Sequence, residues 1–176
     1  PFIEIIPNNV FAVEEGEKIS RNYEIKEEES WDVSTYGNGA VTAKWTKKDS
    51  KIVISGIGVI DEYGLSNKPQ YTNLVKEIVI EDGIYAIEGG AFKDCYNLTE
   101  ITIPKNIETI GDGVFIGCEN LKNIMVDEEN PNYKSENGIL FSKDKSILVS
   151  YPAGKEETEY IVPTEVKSIG GYAFSS

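Results

Sequence analysis

Residues 91–98 read AFKDCYNL and residues 114–121 read VFIGCENL. An aromatic, a cysteine and a leucine recur at one mutual spacing, with Cys118 lying 23 positions after Cys95. The agreement runs outward from there. Glu77-Ile78-Val79-Ile80 aligns on Glu100-Ile101-Thr102-Ile103, Ile84 on Ile107, Ile87 on Ile110, Gly90 on Gly113 and Phe92 on Phe115, always 23 apart. A fixed period of this length marks a stack of small repeated units. The pattern resumes at Tyr160-Ile161-Val162-Pro163, where Val166, Ile169, Gly170 and Phe174 match Ile107, Ile110, Gly111 and Phe115 at an offset of 59. Removing one period leaves 36, so one repeat carries 13 extra residues. That repeat starts at Asn123-Ile124-Met125-Val126. It contains the β-rich runs Asn137–Phe141 and Ser146–Tyr151 around the polar Ser142–Lys145, which predicts a hairpin over 138–151.

Within one unit the pattern is that of a coil with a short strand and two corners. In Glu100-Ile101-Thr102-Ile103-Pro104 the apolar residues alternate, placing Ile101 and Ile103 inside and Glu100 and Thr102 outside before proline ends the strand. Ile107 and Ile110 form a second side, Gly111-Asp112-Gly113 a bend, and Phe115, Cys118 and Leu121 the return. About seven inward side chains cannot offset the entropy of ordering 23 residues, so no unit folds alone and stacking supplies the missing burial. The recurrent Phe, Cys and Leu are therefore columns of one core. Cys95 and Cys118 sit one rung apart, about 4.8 Å along the stack. Side chains of one column point the same way, which fits reduced, buried thiols better than a disulfide or redox pair.

Composition narrows the function classes. With 30 acidic against 17 basic residues and a net charge of −13, the chain lacks the basic patches that neutralise nucleic-acid phosphates. No apolar run reaches the length of a membrane span. The absence of histidine removes the usual general base and the commonest zinc ligand. Asp127-Glu128-Glu129-Asn130 lacks the alternating oxygens and glycine of a calcium loop and reads as a polar corner. Acid pairs such as Asp61-Glu62 have no partner placed across a cleft, as glycoside hydrolysis requires. No phosphate-binding loop, nucleophile elbow or cofactor motif is present, and the chain reads as a non-enzyme without cofactors or metal.

The frame Ile-x-Ile-Pro, then Ile-Gly, an aromatic, Cys and Leu, over roughly residues 74–176, resembles the BspA-like leucine-rich repeats of bacterial cell-surface proteins. Asn130-Pro131-Asn132-Tyr133, Gly138-Ile139-Leu140 and Tyr151-Pro152 resemble that family's long, hairpin-bearing repeat. Trp45–Tyr63, with Lys51-Ile52-Val53-Ile54-Ser55-Gly56-Ile57-Gly58, is similar to the module that often precedes the repeats. The resemblance implies parallel-stranded repeats, secretion or surface display and an adhesive role, and it carries over no catalytic residue.

The predicted architecture is a β-rich solenoid, a leucine-rich repeat stack of short parallel strands capped by an N-terminal antiparallel meander. Residues 1–70 form the cap, with the meander at about 31–58, and residues 71–176 the repeats. Trp31–Tyr36, Ala40–Thr46 and Lys51–Gly58 are the meander strands, with Asn38-Gly39 as a hairpin signal. Glu24–Ser30, with its acidic run, reads as a solvated loop or short helix, and Phe2–Ile6 as either a strand added to the meander or the tail of a preceding domain. The start without Met reads as that of an excised segment. Phe174 maps on Phe115, so the stack is expected to continue with a Cys after Ser176, and the last coil to be more exposed than its predecessors.

The outward strand positions define the candidate binding face. Val79, Thr102, Met125 and Ile161 form a largely apolar column beside an acidic one of Glu77, Glu100, Asn123 and Glu159, a combination common at interaction surfaces. The function expected from this face is recognition of an extracellular protein or glycan at the cell surface or after secretion. A structural spacer in a multidomain surface protein is the alternative, which a uniformly polar ladder face would indicate. A glycan-active enzyme is the third reading, and it would need a deep pocket with convergent carboxylates.

Overall fold

The computed structural model describes residues 2–6, 9–13, 23–37, 39–157 and 159–175. At the N-terminal end β1 (Phe2–Ile6), β2 (Asn9–Val13) and β3 (Tyr23–Glu24) make a small antiparallel sheet of their own. Phe2–Ile6 is thus a strand, paired with Asn9–Val13 and not with the meander. The meander comprises β4 (Glu28–Asp32), β5 (Val41–Thr46) and β6 (Lys51–Gly56), antiparallel with Trp31 opposite Ala43 and Trp45 opposite Ile52. The acidic run, expected as a loop or helix, enters β4, because alternation leaves Glu28 and Ser30 in solvent while Glu29 turns inward to Lys68 and Tyr71. Asp32 ends the strand. Its carboxylate accepts the Ser34 and Gly39 N–H groups around a 3₁₀ turn at Thr35–Gly37, so β4 and β5 are not joined by a two-residue hairpin, and Asn38 lies outside the described residues.

From β6 onward the chain coils. β7 (Gly58–Ile60) leads to the short α1 (Pro69–Thr72), and three coils follow: β8 (Glu77–Ile80) with β9 (Ile84–Ile87), β10 (Glu100–Ile103) with β11 (Thr109–Ile110), and β12 (Asn123–Val126). β6 is antiparallel to β5 on one edge and parallel to β8 on the other, so the meander runs without a break into a six-stranded sheet ordered β12-β10-β8-β6-β5-β4. β7, β9 and β11 form a second, parallel sheet on the adjoining side. Their inward isoleucines, with Phe92, Phe115, Leu98 and Leu121, make one continuous core. The Phe92 and Phe115 rings lie 5.8 Å apart.

Cys95 and Cys118 are fully buried and unbonded to each other, as their column position requires. The Cys118 thiol donates to the Phe92 carbonyl at 3.2 Å. The adjacent Cys118 thiol, and then burial, push the Cys95 thiol well above its usual range, which leaves it without nucleophilic character at neutral pH. Asparagine adds a periodic tie that pattern reading overlooks. Asn97 donates to the Asn73 carbonyl and Asn120 to that of Tyr96, each reaching back one coil.

The long repeat differs from the predicted 138–151 hairpin. β13 (Tyr133–Glu136), β14 (Ile139–Ser142) and β15 (Ile147–Ser150) form a three-stranded antiparallel meander that already begins at Tyr133. Asn137 and Gly138, both at positive φ, are the two-residue turn between its first strands. Asn130 occupies the column of Ile84 and Ile107 at the point where the chain leaves the coil. It is fully buried; its amide donates to the Pro104 and Ile107 carbonyls, and its oxygen accepts the Asn132 and Tyr133 N–H groups. Tyr151 then takes the place held in other coils by Phe92 and Phe115: its N–H bonds to Ala173 as that of Phe92 bonds to Val114.

The ladder does not continue past β12. Tyr160 and Val162, which the repeat offsets align on Ile124 and Val126, form no strand, because the Ile124 N–H is taken by Gly138 and its carbonyl by the Ser135 hydroxyl. The last coil instead joins the inserted meander through β16 (Ser168–Ile169), parallel to β15. Tyr160 packs on Tyr151 at 4.9 Å, and Ile139, Phe141, Leu148 and Ala173 build a second small core. The insertion is therefore a seam and not a break, since Leu140 and Val149 of the same meander pack into the first core. Ile169 and Phe174 are about half exposed, against 6% for Phe115.

Two outcomes follow for stability. Asn130→Ala strands two buried carbonyls and two N–H groups and should cost about 2–4 kcal/mol in urea unfolding, whereas the exposed Asn132→Ala should be near neutral; equal midpoints would contradict the assignment. At the cap, hydrogen bonds from Lys68 and Tyr71 hold the Glu29 carboxyl below its ordinary 4.5 against a partial burial penalty. A depressed carboxyl stabilises above its unfolded value and loses that contribution as pH falls. The urea midpoint should therefore drop more steeply below about pH 4.5 in the native chain than in Glu29→Gln.

Candidate functional site

The strand alternation that buries Ile78, Ile80, Ile101 and Ile103 sends every second residue of the large sheet into solvent. Register fixes two outward rows. Lys51, Glu77, Glu100 and Asn123 lie side by side, and Val53 pairs with Val79 as Thr102 pairs with Met125. Glu100 and Thr102 are exposed, Val79 is half-buried, and Met125 is 40% exposed. Six of the eight predicted face residues thus meet: Glu77, Val79, Glu100, Asn123, Thr102 and Met125. Asn123 lies on the flank against Gly138. Ile161 and Glu159 are elsewhere, because no strand forms there; Ile161 is 91% exposed beyond the sheet.

The face is not flat. β8 and β10 pair only at Glu77–Glu100 and Ile78–Ile101, then separate. The cause is one missing hydrogen. Glu81 and Asp127 each close their rung by donating N–H to the preceding coil, to Ile54 at 2.9 Å and Ile103 at 3.0 Å. The equivalent residue between them is Pro104, which has no N–H to offer the Ile80 carbonyl. A shallow groove of about 360 Å³ opens at this gap, floored by Ile78, Ile80 and Ile101, walled by Val79, Thr102 and Met125, and rimmed by Glu77, Glu100 and Asp127. Lys51 pairs with Glu77 at 2.9 Å, and no ion pair engages Glu100 among the described residues.

A polar depression beside Lys122 and Lys155 is occupied by its own ion pairs, Lys122–Glu156 at 2.8 Å and Lys155–Glu157 at 3.8 Å. Asp127 accepts the Glu129 N–H and Asn130 is committed to backbone, so this corner is structural. Asp61 likewise caps its own turn through the Tyr63 N–H. Groove-lining Pro104 was read in the sequence only as a strand terminator; comparing it with Glu81 and Asp127 in the same column is the signal that locates the groove.

A family profile described as the BspA type leucine-rich repeat region, in six copies, matches residues 60–152, more than half of the chain. The chain belongs to the BspA-type leucine-rich repeat family. Among solved structures, this BspA-type chain is similar to the pneumococcal vaccine antigen PcpA, with 33% identity, a TM-score of 0.52, and coverage of 57% of this chain and 25% of that one. It also matches a leucine-rich repeat protein from Eubacterium ventriosum (26% identity, TM-score 0.41, 84% and 57% covered). A leucine rich cell surface protein from Faecalibacterium prausnitzii matches as well (24% identity, TM-score 0.49, 57% and 33% covered). The chain therefore spans between a quarter and just over half of these structures. No curated protein sequence matches it.

If the missing N–H opens the groove, Pro104→Thr should close it. The amide at position 104 should then be protected from hydrogen exchange as those of Glu81 and Asp127 are, and unfolding should shift upward by about 0.5–1.5 kcal/mol. A freely exchanging amide at this position would assign the gap to another cause.

Proposed function

We propose that this BspA-type chain is a binding module of a secreted or surface-displayed protein, and that its outer ladder face recognises an extracellular macromolecule, protein or glycan. The observation that carries the reading is the groove at Pro104, an apolar slot with a carboxylate rim assembled from three successive coils. A scaffold that only holds another domain at a distance has no use for an apolar depression in the solvent face of its sheet. Similarity to a pneumococcal vaccine antigen supports placement outside the cell. No helix among the described residues is long and apolar enough to cross a membrane. A glycan-active enzyme would need two carboxylates facing each other across a cleft, whereas Glu77 and Glu100 stand side by side on neighbouring strands.

The reading is tested by filling the groove. Thr102→Arg and Met125→Arg should each weaken capture of immobilised extracellular-matrix proteins or glycans by about tenfold or more, the loss of a central contact, while Thr109→Arg on the other sheet should not. Circular dichroism would verify that all three fold. Retention of binding by both ladder-face variants, or equal loss in Thr109→Arg, would move the site off this face.

A further inference from the structure

Resting on that reading, we infer that the groove at Pro104 takes an extended peptide segment that presents Arg or Lys on one face. Three features of the groove converge on this chemistry. Its floor and walls, Ile80, Val79 and Met125, are aliphatic, and no aromatic ring lines it, so it lacks the flat platform on which sugar rings stack. Its rim carries Glu77, Glu100 and Asp127 and no cation lines it; Lys51 meets Glu77 from the β6 side, and Lys105, which acts on Asp127, is paired with Glu129. The Ile80 carbonyl lacks the donor that its equivalents Ile54 and Ile103 receive, because Pro104 stands where Glu81 and Asp127 stand.

An Arg or Lys satisfies all three conditions at once. Its methylene stem lies along the aliphatic wall, and its head reaches a rim carboxylate or the free carbonyl. Side chains of an extended ligand on one face repeat about every 6.6–6.8 Å, so alternate residues of the segment present their cationic heads to the same rim. The net charge of −13 reinforces the choice, since it draws basic partners and repels acidic ones over long range. Glu100 is the rim residue on which the assignment rests most, because no internal ion pair competes for it.

The chain has a single methionine, Met125, in the wall of the groove. Labelling its methyl group with ¹³C therefore yields one resonance that reports on this site alone. The probe is an acetylated and amidated Val-Arg-Val-Arg-Val peptide, with Val-Glu-Val-Glu-Val as the control. The basic peptide should shift the Met125 resonance saturably and the acidic one should not. Glu100→Gln should weaken the titration about fivefold, and raising the salt should weaken it further; Pro104→Thr, which adds no charge, should abolish it. No shift with the basic peptide, equal shifts with both peptides, or indifference to Glu100→Gln would overturn the proposal. A silent Met125 resonance in a chain whose matrix binding still depends on Thr102 would overturn the basic-peptide assignment alone and leave the ladder-face reading intact. A Met125 shift from a neutral glycan, with none from the peptide, would overturn it in favour of a saccharide.

Discussion

The backbone bond that closes each rung governs the rest of this structure. A 23-residue coil has too few inward side chains to fold alone, so its order is borrowed from the coil before it. The loan is secured at a few repeated places. Glu81 and Asp127 donate to the strand below, Lys122 bonds to Thr99, Gly111 to Ile87, and Asn97 and Asn120 reach back one coil from the corner. Because the ties recur with the period, the columns of isoleucine, phenylalanine and cysteine follow from them. Removing one tie loosens one edge of one rung and leaves the others standing, which is how Pro104 opens a groove without breaking the stack.

The same logic explains the seam. A parallel ladder always ends in a strand with unpaired backbone, and such an edge invites unwanted pairing. Here the long repeat turns its inserted meander back over β12, with Gly138 and Ser135 bonding the backbone of Ile124. Asn130 makes the departure possible. In a column held by Ile84 and Ile107 in the two coils before it, an amide can satisfy both the carbonyls below and the N–H groups of the departing chain. Tyr151 and β15 then offer the next coil a fresh edge and a fresh aromatic, and Ser168–Ile169 accepts it.

What could be read from the sequence divides along this line. The solenoid, its period and its buried columns were legible because each core position names itself by side-chain type, as Ile101, Phe115 and Cys118 do. Features that rest on backbone partners were not. Tyr160-Ile161-Val162 carries the same alternation as Glu100–Ile103, yet forms no strand, since alternation says which face would be buried and nothing about whether an edge is free. β13 escaped notice because Tyr133–Glu136 has no apolar alternation and is held by its Asn137-Gly138 turn. Glu29 looked like part of a solvated run until Lys68 and Tyr71, some 40 residues away, were brought to it. Of the face residues, the six on β8, β10 and β12 were legible, and the groove among them was hidden in the absence of one N–H.

The groove's position has an energetic consequence. In a linear stack the weakest interface between neighbours sets where cooperativity fails first. β8 and β10 pair over only two residues, whereas β6 and β8, and β10 and β12, pair over four. The proposed recognition surface thus coincides with the least secured rung between β6 and β12. A ligand seated across Val79, Thr102 and Met125 touches three coils at once and supplies contacts where the chain itself supplies fewest, so binding and the coupling of adjacent coils are linked through the same gap. Closing that gap with a backbone bond would stiffen the stack and remove the site together, which gives Pro104 a reason to stand in a column where a donor would otherwise be the more stabilising choice.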